Sequence, residues 1–229
     1  MKKLTYIAVA GLAVLLAGLE IALAADTPAI APPNLVNNPG FEEWAPAPAP
    51  PKDPKQAFPS FSADVAPARW NCVAEITPGV NEPSIKSSAS VAKDETVKHS
   101  GKSSIRFING ATTDIIGCVT DFAVEPNTHY KVRMWVKGEG IVSNRNEGVM
   151  LWTRYGAKAD FWSNNKWTVQ LPPVHAGTFD WQAFEYFVDT NDNAELMHVT
   201  IQLRNASGKA WFDDIELVKA GAVSKTESY

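Results

Sequence analysis

Apolar and polar residues alternate one by one through much of the chain. Tyr130, Val132, Met134 and Val136 alternate with Lys131, Arg133, Trp135 and Lys137. Val149, Leu151, Thr153 and Tyr155 alternate with Met150, Trp152 and Arg154, and Val199, Ile201 and Leu203 with His198, Thr200, Gln202 and Arg204. Successive side chains of a strand point to opposite faces, so period two marks strands with one buried side. Residues 104–107, 115–122, 183–188 and 210–218 read as further strands, and Gly, Pro and Asn turns separate them. Beyond the N-terminal segment no stretch of ten or more residues carries helical periodicity. Roughly seven or eight short strands in about 160 residues predict an all-β protein, an antiparallel β-sandwich or jelly roll.

The ends and one internal stretch break this pattern. Lys2 and Lys3 precede an apolar run over residues 7–19, followed by Ala22 and Ala24 as an Ala-x-Ala site. A bilayer span takes about 20 apolar residues, so the run predicts a secretory signal peptide over residues 1–24 rather than an uncleaved anchor. No cysteine follows the run and no second long apolar segment occurs. The expectation is an exported chain of 229 − 24 = 205 residues, secreted or periplasmic, with no membrane contact after cleavage. Residues 25–33 form an Ala/Pro-rich leader. Residues 45–59 are Pro-rich as well, which excludes a helix interior or a central strand, so they read as a loop. Residues 34–219 then make one module, and residues 220–229 a polar tail.

Composition narrows the function classes. Of 229 residues, 45% are hydrophobic and 20% charged, which excludes collagen, coiled coil and full disorder. A net charge of −4 argues against nucleic acid or an anionic membrane as partner, since both attract basic surfaces. Eight tryptophans provide flat apolar faces as well as core. Cys72 and Cys118 are the only cysteines, and in an oxidising compartment they are expected to bond. Closing a loop of about 47 residues would stabilise by roughly 3–4 kcal/mol on the chain-entropy relation. Two buried thiols or a metal pair are the alternatives, though no Cys-x-x-Cys or His cluster supports zinc. Four scattered histidines, no Gly-x-Ser-x-Gly and no His-Glu-x-x-His leave catalysis without a motif. No strand carries the alternating acids of a β-jelly-roll glycosidase either, so the expectation is a non-enzyme, with a glycoside hydrolase as a remote alternative.

Five collinear pieces carry a resemblance. They are Asn37-Asn38-Pro39-Gly40-Phe41-Glu42-Glu43-Trp44, His99-Ser100-Gly101-Lys102-Ser103-Ser104-Ile105-Arg106-Phe107, and Gly208-Lys209-Ala210-Trp211-Phe212-Asp213-Asp214-Ile215-Glu216-Leu217, with residues 126–138 and 180–184 between them. In this order and spacing they resemble the jelly-roll carbohydrate-binding modules appended to bacterial xylanases and cellulases, which share the galactose-binding-like fold. Asn38-Pro39-Gly40 is a turn that lets Phe41 staple the first strand to the core. The irregular apolar step Phe212, Ile215, Leu217 predicts a bulge at Asp213-Asp214. The resemblance implies a structural Ca²⁺ held by Glu42, the carbonyl of Lys102, and Asp213 or Asp214. Hard oxygens suit that ion, while the bland alternative has the acids capping turns in water.

The resemblance also implies a carbohydrate partner. Sugar recognition needs aromatic faces for stacking and planar polar groups for the hydroxyls. With Val132, Met134, Val136, Val149, Leu151, Ile201 and Leu203 facing the core, Trp135, Trp152, Arg154, Arg133, Gln202 and Arg204 point outward and form the expected ligand set, with Thr200 beside them. Tyr155, Phe161, Trp162 and Trp167 lie in or near a Gly/Asn-rich loop as a second set, and Trp181 and Trp211 are expected in the core. The other function class is a structural or interaction module of the cell surface, packing the same sandwich against a protein partner.

Overall fold

Paired antiparallel strands account for most of the residues that the computed structural model describes, namely 31–46, 65–76, 89–143 and 145–222. In chain order they are β1 (Trp44–Pro46), β2 (Val65–Pro67), β3 (Asn71–Ile76), β4 (Ser90–Asp94), β5 (Ser104–Asn109) and β6 (Asp114–Ala123). Then follow β7 (Thr128–Ser143), β8 (Val149–Gly156), β9 (Asn165–Gln170), β10 (Gly177–Asp189), β11 (Leu196–Arg204) and β12 (Ala206–Ala222). The first sheet has the order β10-β7-β12-β5-β4 and the second β3-β6-β11-β8-β9, with β1 and β2 as a separate pair. The expected signal peptide, residues 25–30 of the leader, the loop from 47 to 59 and residues 223–229 of the tail lie outside the described residues.

All seven strands marked by the sequence pattern are present, several of them longer than the pattern alone marks. The five additional strands are short or polar, and three of them (β3, β4 and β9) are sheet edges. An edge strand is held from one side only and tolerates polar residues, which blurs its alternation. β12 continues into the expected tail, with Gly221 opposite His129 and Ala222 opposite Thr128.

The core lies between the two sheets. Ile105, Phe107, Val132, Met134, Val136, Phe212, Ile215 and Leu217 come from the first sheet, and all are fully buried. Ile116, Cys118, Val149, Leu151, Met197, Val199, Ile201 and Leu203 meet them from the second, also fully buried. Each such side chain contributes about 1.5–3 kcal/mol by leaving water, so the period-two pattern is the main determinant of the fold. Phe212 and Ile215 can both face inward because the β12–β7 register shifts between Asp213 and Glu216 and Asp214 turns to φ 47°. The bulge therefore falls where the apolar step placed it. Phe41, also fully buried, follows a turn closed by its own N–H on Asn38 O at 3.2 Å. Cys72 stands directly opposite Cys118 on β3 and β6, Cα atoms 4.0 Å apart, and the two form a disulfide.

Two tryptophans depart from expectation. Trp211 is buried, yet it alternates with the core residues Ala210 and Phe212 and so points out of the first sheet. There its Nε1 donates to Asp94 Oδ2 at 2.9 Å, an oxygen that Arg106 also reaches at 3.2 Å. Trp181 is half-buried and packs edge-on to His99 rather than into the core. For Trp211 the Asp94 carboxylate satisfies the ring N–H on the outside of the sheet.

Candidate functional site

The outer face of the second sheet gathers aromatic and planar polar groups. Register fixes its rows. Asn71, Val119, Thr200, Trp152 and Val169 lie side by side across β3, β6, β11, β8 and β9. Asp121, His198, Arg154 and Trp167 form the next row, and Gly117, Gln202 and Met150 the row on the other side. Strands are about 4.8 Å apart, so each row is a ladder of neighbouring side chains.

Gly117 makes the floor flat at one point. A Cβ there would lie 2.6 Å from Gln202 Cγ and 3.2 Å from its Nε2, so the Gln202 side chain lies across the glycine. Gln202 is only 7% exposed and its Oε1 has no hydrogen-bond partner. Trp152 Nε1 and Arg154 Nε on the same face are also buried and unpartnered.

The turn between β8 and β9 adds rings above this floor. It is pinned by Ser163 N and Asn164 N on Asp160 O, at 3.0 and 2.9 Å, and by Asn165 Nδ2 on Phe161 O at 2.6 Å. Phe161 is buried and stacks on His198 with centroids 4.2 Å apart. Trp162 stands edge-on to both Phe161 and His198 and is 74% exposed, while Trp167 on β9 is 65% exposed. The Arg154 guanidinium lies 5.1 Å from the Trp152 ring and 5.5 Å from the Trp162 ring. Trp162 and His198 line a groove of about 540 Å³ together with Arg69, Asn71 and Asp121. Burial holds the His198 imidazole below its usual basicity and the Arg154 charge adds to this, against the opposing pull of Asp121. Its Nε2 faces Asp121 Oδ1 at 3.3 Å.

The expected ligand residues do not form one surface. Trp152, Arg154, Gln202 and Arg204 share the second sheet, where Arg204 Nε pairs with Glu147 Oε2 at 3.3 Å. Arg133 and Trp135 are on β7, in the first sheet, on the opposite side of the sandwich. There His99 stacks on Trp135 with centroids 3.8 Å apart, and Arg133 lies 5.4 Å from the same ring. Alternation tells which residues leave a strand outward, not which sheet the strand joins, and the two outward sets were merged for that reason. Of the second set, Tyr155 packs against the core and Trp162 lines the groove, while Phe161 is buried against His198 and Trp167 is exposed on β9. Arg69, Asn71 and Asp121 carried no signal in the sequence, because only the sheet order brings β3 and its preceding turn beside β6. His198 had a signal, its outward place in the β11 alternation.

The expected calcium ligands gather at one end of the first sheet. A Cβ on Gly40 would lie 3.4 Å from Asp213 Oδ1, 3.6 Å from Asp214 Oδ1 and 3.7 Å from Glu42 Oε1, so three carboxylates surround one point. Asp213 is fully buried and accepts from the N–H groups of His99 and Ser100 at 2.8 and 3.1 Å. Burial pushes its carboxyl up to about 6, those N–H donors pulling the other way and the Asp214 charge adding to the rise. Asp214 meets His99 Nδ1 at 2.6 Å and accepts from Ser100 Oγ at 2.7 Å. Lys102 donates its N–H to Glu42 Oε1 at 2.8 Å. Hard carboxylate oxygens of this kind are the donors that Ca²⁺ takes. With these oxygens engaged by N–H and O–H donors, no ready set of three or more metal-holding His, Cys, Asp or Glu occurs among the described residues.

No protein-family description matches the sequence, and no curated protein does. Solved structures do match. The tandem CBM22-1–CBM22-2 domain of Xyn10C from Paenibacillus barcinonensis aligns over 89% of this chain and 49% of its own length, with 11% identity and a TM-score of 0.51. The enzymatically active domain of tailspike protein 4 of bacteriophage CBA120 aligns over 81% of this chain and 21% of its own, with 9% identity and a TM-score of 0.51. A module solved with β-1,4-galactotriose aligns over 82% and 99%, with 16% identity and a TM-score of 0.45. The chain thus spans about a fifth of the tailspike domain and about half of the tandem domain. At these identities the likeness is one of fold: the antiparallel β-sandwich that carbohydrate-binding modules use.

Proposed function

We propose that the protein is an exported, non-catalytic module that binds a polysaccharide or oligosaccharide on the outer face of its second sheet. One observation carries the reading: Trp162 and Trp167 stand largely exposed, and Trp162 lines a groove with the polar side chains of Asn37, Arg69, Asn71 and Asp121. Exposed rings offer a pyranose the C–H stacking it favours, and the groove's polar side chains offer its hydroxyls hydrogen bonds. The sandwich shared with carbohydrate-binding modules is in keeping with this role and does not by itself assign it. The disulfide suits an oxidising compartment, which supports export.

Calcium is proposed as a brace rather than a participant. Glu42, Asp213 and Asp214 would hold it, in competition with the contacts of His99 and Ser100, and the ion would supply the positive charge that buried Asp213 lacks. A chelator should then lower the melting temperature of protein prepared with calcium; an unchanged melt removes the ion from the account.

The carbohydrate reading is tested by presenting the protein to a broad glycan array and to insoluble polysaccharides. Retention on a defined glycan, abolished in Trp162→Ala with Trp167→Ala, supports it. Silence from a folded protein across the panel contradicts it and favours the reading in which the sandwich packs against a cell-surface protein.

A further inference from the structure

We infer that the free edge of β9 pairs antiparallel with the same strand of a second copy of this chain, joining two second sheets into one. β9 is the last strand of its sheet and is hydrogen-bonded only to β8. Among the described residues no other backbone group bonds to the main chain of residues 166–170. A strand edge presents a row of N–H and C=O groups that templates another strand unless charge, proline or a bulge blunts it. Here the guard is thin, since Asn165-Lys166-Trp167-Thr168-Val169-Gln170 carries a single charge and no proline. By contrast the edge strand β10 carries the exposed acids Asp180, Glu185 and Asp189. The edge strand β4 ends in Lys93 and Asp94, both held in ion pairs. On β9, Trp167 and Val169 are 65% and 41% exposed, two neighbouring apolar side chains on one face.

The partner is a second copy because β9 is complementary to itself. Two antiparallel copies are related by a twofold axis normal to the sheet, which keeps outward residues opposite outward ones and sets one residue opposite its own mate. With the axis at Thr168, Trp167 stands opposite Val169 of the second copy, Lys166 opposite Gln170, and Thr168 opposite Thr168. Aromatic with β-branched and Thr with Thr are cross-strand pairs that stabilise, and no like charges meet. An axis at Lys166 would set that charge against itself, and one at Trp167 would set Asn165 against Val169. The axis also leaves both outer faces on the same side. The row that ends in Trp152 and Val169 then continues into Trp167 and Arg154 of the second copy. One short strand edge makes a small interface, so the association is weak, with a dissociation constant on the order of 100 μM.

The test uses the full chain in sedimentation equilibrium, from well below to well above that concentration, and in disulfide trapping under mild oxidation. Both native cysteines are joined as Cys72–Cys118, so an introduced cysteine reports on its own surroundings. In the register centred on Thr168, Thr168→Cys brings its two Cα atoms to about 4.5–5.5 Å, within disulfide reach. Lys166→Cys leaves its mates four residues out of register, about 13 Å apart. The expected results are a monomer–dimer equilibrium in the unaltered chain and an association about tenfold weaker in Val169→Glu. Thr168→Cys should also cross-link about tenfold faster than Lys166→Cys. An unaltered chain that stays monomeric throughout overturns the second copy as the occupant of this edge. A dimer untouched by Val169→Glu, or equal trapping at the two cysteine positions, overturns the pairing through β9. Should Val169→Glu fail to fold, the two cysteine variants carry the comparison. No glycan enters these measurements, so their failure is separate from a failure of the carbohydrate reading.

Discussion

Gly117→Ala isolates how the outer face of the second sheet is packed. The new methyl would lie 2.6 Å from Gln202 Cγ, 3.2 Å from Gln202 Nε2 and 3.0 Å from Ile201 O. Carbon pairs rest at about 3.5–4.0 Å, so Gln202 must retreat by roughly 1 Å. Overpacking of this kind costs about 1–3 kcal/mol. Most of that strain falls on one side chain, which gives the prediction its sharpness. In a Gln202→Ala background Cγ and Nε2 are gone and only Ile201 O remains close. Gly117→Ala should then cost under about 1 kcal/mol, a coupling of about 1–2 kcal/mol in a double-mutant cycle. Urea midpoints followed by tryptophan fluorescence on the four proteins measure it. Equal destabilisation in both backgrounds would refute the packing of Gln202 across Gly117, and so would a neutral Gly117→Ala.

Replacing Trp162 or Trp167 by alanine should weaken glycan binding by about 1–2 kcal/mol, roughly five- to thirtyfold, with an unchanged melting temperature because both rings are already exposed; a lowered melt with intact binding would make them structural. Removing the disulfide with Cys72→Ala and Cys118→Ala closes no loop between positions 46 apart, so stability should drop by about 4 kcal/mol in urea unfolding. An unchanged midpoint would contradict this. Asp213 titrates near 6 in the folded chain against an ordinary 3.8. The folded state therefore holds this proton more tightly than the unfolded one, and the stability it lends is complete below about pH 4 and lost as the pH rises through 6. Calcium-free protein should show that slope in denaturant melts at stepped pH, and Asp213→Asn should flatten it.

The fold was legible where burial is strongest. Val132, Met134 and Val136 or Val199, Ile201 and Leu203 alternate cleanly because both flanks of their strands are paired and one face is dry. The bulge at Asp213-Asp214 was legible too, since a one-residue insertion is the simplest way to turn Phe212 and Ile215 to the same side. Strands β4 and β9 were not, because an edge strand such as Asn165–Gln170 needs no regular apolar face. The site was half legible. Trp152, Arg154 and Gln202 follow from alternation on β8 and β11, but the separation of Trp135 and Arg133 from them depends on sheet order, which no local pattern encodes. Trp211 illustrates the same limit: its burial was foreseen, yet Asp94, 117 positions away, decides which side of the sheet buries it.

The central claim places glycan binding on the outer face of the second sheet. Its most direct test compares three full-length proteins on the glycan that retains the wild type: Trp162→Ala with Trp167→Ala, Trp135→Ala, and the unaltered chain. The account predicts that binding disappears in the first and persists in Trp135→Ala, whose ring lies against His99 on the other sheet. Binding that survives loss of Trp162 and Trp167 but vanishes with Trp135 would contradict it and place the site on the first sheet.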